Sequence, residues 1–157
     1  MITVHHLNNS RSQRILWLLE ELEVPYQVKQ YKRAADFRAP KELLEVSPLG
    51  KSPAITDDSI TLAESGAIIE YLISKYGSGK FQAPTSGPGY LHNLYFLHYA
   101  EGSLMPLWVQ RVTYDVIPQK TPLLIRPIAK LTNLKKHILQ PELKKHFAFV
   151  GPGHACV

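Results

Sequence analysis

Cysteine is nearly absent. One thiol, Cys156, stands in 157 residues. A single thiol closes no internal disulfide, so nothing in the cysteine usage points to an oxidising compartment. No window of about 18 consecutive apolar residues occurs, so no membrane-spanning helix and no membrane partner are expected. The start, Met1-Ile2-Thr3-Val4-His5, lacks the basic and then apolar pattern of a secretory signal. A cytoplasmic location follows as the default. Long charge runs are missing too. The net charge is +5 and the pI about 9.3, yet the densest basic groups are pairs: Lys32-Arg33, Lys135-Lys136 and Lys144-Lys145. Scattered pairs read as a solvated face, so no nucleic-acid partner is expected. The seven histidines offer no pattern of metal ligands. His5 and His6, adjacent on a strand, point to opposite faces, and His92 and His98 miss the spacing of paired helical ligands. No metal is expected. What is present is ordinary for a globular chain: 45% hydrophobic and 20% charged residues, enough for one good core or one core and part of a second.

Taken in order, Ile2-Thr3-Val4-His5-His6-Leu7 reads as a strand. Asn8-Asn9-Ser10 is a turn and cap cluster. Ile15, Leu18, Leu19 and Leu22 mark one helix face, and Pro25 stops that helix. A second strand, from Tyr26 to Tyr31 with Tyr26 and Val28 on one side, completes a βαβ unit with parallel strands. A polar loop leads to Pro40 and a short helix through Val46, with Leu43 and Leu44 as its buried side. Ala54-Ile55-Thr56 and Ile60-Thr61-Leu62 flank the turn residues Asp57-Asp58-Ser59, which is a hairpin signal. Ile68, Ile69, Leu72, Ile73 and Tyr76 mark an amphipathic helix that Gly77 closes. The whole is a thioredoxin-like α/β domain over residues 1–77. Four glycines and two prolines between Gly77 and Gly89 indicate a linker, residues 78–89. Residues 90–150 follow helical spacing and read as a partial all-α domain. Pro106 should interrupt its first helix, and Pro118 and Pro122 should end it. Pro127 and Pro141 disturb a second helical stretch, from Leu124 to Val150.

The stretch 48–67 organises the rest: Pro48-Leu49-Gly50-Lys51-Ser52-Pro53, then the hairpin, then Glu64-Ser65-Gly66-Ala67. Pro53 belongs at a strand start, because it cannot donate a ladder bond. A cis Ser52–Pro53 bond would turn the backbone N–H and C=O of Ser52 outward, offering a strand-like edge to an extended ligand. Glu64-Ser65 opens a helix, where N–H groups and a hydroxyl favour a carboxylate and Glu64 can meet an ammonium. A γ-glutamyl tripeptide carries a peptide backbone, an α-ammonium and an α-carboxylate at suitable spacing.

At these residues the chain resembles the glutathione transferase family, in particular fungal and bacterial members with a Pro-Leu-Gly-Lys-x-Pro loop. The resemblance covers roughly residues 1–150. It implies conjugation of the glutathione thiolate to a small electrophile, in detoxification, with glutathione as co-substrate and no other cofactor, in a homodimer. It implies Ser10 as the catalytic hydroxyl that stabilises the thiolate, with Asn9 and Ser12 as rivals. The tyrosine of tyrosine-type enzymes would fall at Asn8, and no cysteine lies where cysteine-type members carry one. Ser10 also reads simply as an N-cap. The glutathione contacts carried over are Lys51, Ser52, Pro53, Glu64 and Ser65, with Arg38 and Lys41 as helpers. Ser65 reads equally as a helix cap and Lys51 as an exposed loop lysine. Other readings of the chain are a non-catalytic glutathione-binding or assembly module and a glutathione-dependent peroxidase.

The chain departs from the family at its end. The resemblance implies several further helices, the next opened by a Ser/Thr-x-x-Asp capping motif. The sequence instead finishes in Gly151-Pro152-Gly153-His154-Ala155-Cys156-Val157. It therefore reads as a C-terminally truncated member, from a splice variant, a read-through intron or a gene-model error. The apolar stripes of Leu94, Met105, Val109, Leu131, Leu134 and Ile138 would then be only partly covered.

Overall fold

The structure, a computed structural model, describes residues 1–34, 38–120 and 139–150. The chain divides into two compact units, Met1–Gln82 and Ala83–Val157.

The first unit is a four-stranded sheet ordered β2-β1-β3-β4. Its strands are β1 (Ile2–Leu7), β2 (Tyr26–Tyr31), β3 (Ala54–Asp57) and β4 (Ile60–Ala63). β1 and β2 pair in parallel, and β3 runs antiparallel to both β1 and β4. The helices are α1 (Gln13–Glu21), the single turn α2 (Lys41–Leu44) and α3 (Ser65–Tyr76). Alternation along β1 builds a core on each face. Ile2 and Val4 pack with Ile15, Leu19 and Leu22 of α1 and its end, and with Ile68 and Leu72 of α3. Leu7 packs on the opposite side with Tyr31 and Leu43. This is the thioredoxin-like arrangement expected from the βαβ-hairpin-helix order.

Three local expectations change, and one further side chain is placed. Val28 is exposed, because β2 is an edge strand. Leu44 is also exposed while Leu43 is fully buried, since a one-turn helix presents only one of two adjacent side chains to the sheet. Asp57 is not a turn residue. It ends β3 opposite Ile60, leaving a two-residue loop of Asp58 and Ser59. Trp17 lies on the solvent side of α1, 69% exposed, and its Nε1–H donates to Glu21.

The second unit is helical. Its elements among the described residues are α4 (Gly87–Tyr99), a π-helical turn over Ala100–Leu104, α5 (Met105–Lys120) and α6 (Gln140–Val150). α4 begins at Gly87, inside the expected linker, with Pro88 in its first turn, where a missing N–H costs nothing. Pro106 does interrupt the helix, and the widened π turn precedes the place where its donor is withdrawn. Pro118 does not end α5, which continues to Lys120. Pro141 lies in the first turn of α6 and leaves it intact. Tyr99, Leu139 and Leu143 are buried. The Tyr99 hydroxyl meets His146 Nδ1 at 2.5 Å, and Tyr95, Phe96, Tyr99 and Phe149 form a ring cluster. Leu94 and Val109 are exposed. Leu124, Pro127, Leu131, Leu134, Ile138 and the 151–157 tail lie outside the described residues. No described helix is long and apolar enough to cross a membrane.

Candidate functional site

Three segments converge at one end of the sheet. β1 ends at Leu7, β3 begins at Ala54 and β4 ends at Ala63. Ala54 sits opposite His5 on one side and opposite Ala63 on the other. Residues 8–12, 51–53 and 64–65 therefore leave the sheet side by side. Open α/β sheets offer ligands this kind of crevice, beyond the carboxyl ends of their strands.

The first segment turns back through Asn8 and Asn9. Asn9 adopts φ 54°, a left-handed conformation that asparagine tolerates better than most residues. Asn8 Oδ1 accepts the Arg33 N–H at 2.8 Å, and the Arg33 guanidinium reaches the Asn8 and Asn9 carbonyls. The turn is thus tied to the chain after β2. Ser10 follows, half-buried. It does not cap α1, because the N-cap position belongs to Ser12, whose side chain makes no capping bond. The Ser12 backbone carbonyl accepts from Ile15 and Leu16. Its hydroxyl turns to the sheet, 2.7 Å from His6 Nδ1 and 2.8 Å from Ser10 Oγ. Of the three candidates for thiolate contact, Asn9 is exposed, Ser12 is fully buried, and Ser10 is a hydroxyl in partial contact with solvent.

The second segment supplies Ser52. Its hydroxyl donates to the His5 carbonyl at 2.8 Å. It accepts from the Leu7 N–H at 3.3 Å and from Ser10 Oγ–H at 3.2 Å. The Ser52–Pro53 bond is cis, as the sequence reading expects, and both residues are buried. The loop before them is shaped by Ser47, whose carbonyl accepts from Gly50 and whose hydroxyl accepts from the Lys51 N–H. Gly50 has φ 62°, and a Cβ there would come within 3.1 Å of Ala39 and Leu44 side chains. Lys51, next to Ser52 in the chain, is exposed, and Arg38 and Lys41 are exposed as well.

The third segment is the entry to α3. Glu64 is exposed at the N-cap with φ 70° and ψ 123°. A non-glycine residue there costs about 1–3 kcal/mol, and strain of this kind collects at ligand clamps. Ser65 is 3% exposed, and its Oγ is buried without a hydrogen-bond partner. It is not a side-chain cap of α3. A buried hydroxyl without a partner forgoes about 1–3 kcal/mol, so this one calls for a group that would complete it.

Ser10, Ser52 and Pro53 are thus joined by direct bonding or chain adjacency, and Glu64 and Ser65 leave the neighbouring strand. Lys51 lies next to Ser52, with its side chain at the surface. The sequence reading missed the hydrogen-bonded roles of His6 and Ser12. The only signal for them was polar residues at the end of β1 and the start of α1. Among the described residues, no group of three or more His, Cys, Asp or Glu is placed to hold a metal ion.

Comparison with known proteins gives the family and the fold. A family model described as the glutathione S-transferase N-terminal domain matches residues 1–74. Glutathione S-transferase 1 of Saccharomyces cerevisiae is 34% identical over 159 residues, covering 96% of this chain and 68% of the yeast protein. The chain belongs to the glutathione S-transferase family. Glutathione S-transferase 3 of Schizosaccharomyces pombe is 43% identical over 146 residues, 90% of this chain, and the match spans 59% of that relative's length. A crystal structure of an Actinobacillus pleuropneumoniae glutathione S-transferase is 29% identical with a TM-score of 0.63, covering 94% of this chain and 66% of that one. The glutathione transferase URE2P8 of Phanerochaete chrysosporium, solved with oxidised glutathione, superposes with a TM-score of 0.73 at 19% identity. It covers 95% of this chain and 65% of that one, and at that identity the likeness concerns the fold.

Proposed function

We propose that this chain binds glutathione at the Ser10–Ser52–Glu64–Ser65 end of the sheet and transfers it, through its sulfur, to a small electrophilic carbon. The observation that carries the reading is the convergence of a half-buried Ser10 hydroxyl with an unpartnered buried Ser65 hydroxyl and a strained Glu64. A glutathione thiol of pKa about 8.5 is mostly protonated near neutrality. Donation from Ser10 Oγ–H to the sulfur, near the positive end of α1, favours the thiolate. The thiol proton leaves to solvent. The thiolate then forms a C–S bond as the electrophile's leaving group departs with its electron pair. The Ser52 backbone would pair with the cysteinyl residue, Glu64 with the γ-glutamyl ammonium, and Ser65 and the first α3 N–H groups with its carboxylate. Lys51 would face the glycine carboxylate, with Arg38 and Lys41 nearby in sequence. No resident cofactor or metal enters this scheme. A homodimer and a cytoplasmic location belong to the same reading.

The test is retention on immobilised glutathione with elution by free glutathione, followed by steady-state turnover of an aryl halide. Retention with turnover supports the reading. Retention without turnover leaves a binding module, and turnover of hydroperoxides alone a peroxidase. Absence of retention overturns it.

A further inference from the structure

We infer that His6 and Ser12 form a positioning chain that points the Ser10 proton out of the protein and toward the bound sulfur. The inference rests on the Ser10 reading above and concerns residues that do not touch the ligand.

The argument is a count of protons. His6 Nδ1, Ser12 Oγ, Ser10 Oγ and Ser52 Oγ follow one another at 2.7, 2.8 and 3.2 Å. Each hydroxyl has one proton to give and two lone pairs to fill. Ser52's own bonds are settled: its proton goes to the His5 carbonyl, one lone pair receives Leu7 N–H, and the other faces Ser10 Oγ. The remaining links can run in two directions. In the outward direction His6 Nδ1–H donates to Ser12 and Ser12 donates to Ser10. The Ser10 proton is then left for Ser52 in the empty site and for the sulfur in the filled one. In the inward direction Ser10 donates to Ser12 and Ser12 donates to an unprotonated Nδ1. Ser10 would then present only lone pairs to the sulfur, which repel a thiolate.

The proton on His6 therefore selects the direction. Two further contacts favour the outward one. The Ser12 N–H approaches Ser10 Oγ at 3.4 Å, so Ser10 already serves Ser12 as an acceptor. The link it surrenders to Ser52 is the longest of the series at 3.2 Å, so turning the proton to a sulfur gives up the weakest bond. Ser52 keeps Leu7 N–H when that happens. Ser12 is fully buried, so water does not replace its donation. His6 projects from β1 on the face that carries α1, because Ile2 and Val4 pack there and side chains alternate along a strand.

His6→Phe removes the donor, Ser12→Ala breaks the middle link, and His6→Asn restores an N–H donor near the Nδ1 position. Five measurements on the full chain separate the cases: the His6 tautomer by long-range proton–nitrogen NMR, the pKa of bound glutathione by thiolate absorbance, kcat/KM, glutathione affinity, and thermal unfolding. We expect an Nδ1–H on His6. We expect His6→Phe and Ser12→Ala to raise the bound-thiol pKa by about one unit and to lower kcat/KM near neutrality about tenfold. Glutathione affinity should hold, and His6→Asn should recover much of the shift. Ser10→Ala serves as the reference. If it leaves the bound-thiol pKa unchanged, the Ser10 reading itself fails. If Ser10→Ala raises that pKa while folded His6→Phe leaves it alone, or if His6 carries its proton on Nε2 only, the positioning chain is refuted. Should Ser12→Ala fail to fold, the half-buried His6 variants and the tautomer decide alone.

Discussion

The two ends of β3 are built on opposite plans. At its carboxyl end Asp57 is 1% exposed, and its Oδ2 receives Lys75 Nζ at 2.7 Å, Tyr71 O–H at 2.7 Å and Tyr76 O–H at 2.5 Å. All three donors come from α3, so the cluster fastens that helix to the sheet. Burial alone would raise the Asp57 pKa, but the donors from Lys75, Tyr76 and Tyr71 outweigh it and hold the carboxyl at about 2. The same contacts raise the Lys75 pKa. At the amino end, beyond Ala54, there is no buried charge. Neutral hydroxyls gather there, with one of them unpartnered at Ser65 and strain at Glu64. The end with the strongly shifted carboxyl supplies three donors to Asp57 Oδ2, while Oδ1 is buried without a partner. The end without one is the end proposed to hold glutathione. A shifted pKa is thus a poor guide to function in this sheet, since ion-pair networks that only hold structure shift pKa values too. An unpartnered hydroxyl next to a strained backbone, as at Ser65 and Glu64, is the better guide.

The contrast can be broken from either side. The largest effect should come from Asp57→Asn. Three donors lose their charged acceptor, and we expect a stability loss of about 3 kcal/mol in urea unfolding. Glutathione affinity of the folded fraction should be unchanged; a variant that loses affinity would merge the two ends into one functional unit. Next is Ser10→Ala, with conjugation at least ~10²-fold lower, which is about 2.7 kcal/mol, and affinity for glutathione little changed. Unchanged turnover would move the role to Asn9 or Ser12.

Acid separates the ends without mutation. Asp57 titrates at about 2 in the folded chain against an ordinary 3.8. Its contribution, about 2 kcal/mol, is complete above pH 3.8 and is lost as the pH falls from there toward 2. His5 acts earlier. Burial first, and the nearby Lys29 charge second, lower its pKa below 6.5. Its ring nitrogens meet the Tyr31 hydroxyl at 2.8 Å and the Thr56 hydroxyl at 3.3 Å. The unfolded chain protonates His5 more readily, so stability should begin to fall as the pH drops below 6.5. Asp57→Asn should flatten only the lower part of the unfolding profile, between pH 3.8 and 2.

These two ends were unequally legible in the sequence. The strands, α1, α3 and the hairpin followed from periodicity, because Ile2, Val4, Ile15, Leu19, Ile68 and Leu72 recur at the spacing their elements require. Ser52, Glu64 and Ser65 could be named because the loop and helix entry have fixed turn chemistry and a resemblance to guide them. Asp57 looked like a turn residue beside Asp58, and nothing local announced that Tyr71, Lys75 and Tyr76 would arrive from a later helix. His6 and Ser12 were hidden for the same reason, since their link spans strand, turn and helix. Leu44 was misplaced because two adjacent leucines do not reveal which one a single helical turn will bury. Pro118 was over-weighted, because a proline late in a helix can be carried by the turns before it.

The smallest expected change bears most directly on the claim that the amino end of β3 awaits a ligand. Ser65→Ala removes a buried hydroxyl that has no partner in the empty chain. Thermal unfolding of this variant should therefore show a melting temperature equal to or above that of the parent without glutathione. Glutathione should raise it less than it raises the parent, consistent with affinity about tenfold weaker. If the empty variant instead melts lower while glutathione stabilises it as strongly as the parent, the Ser65 hydroxyl is structural and the account of this end is contradicted.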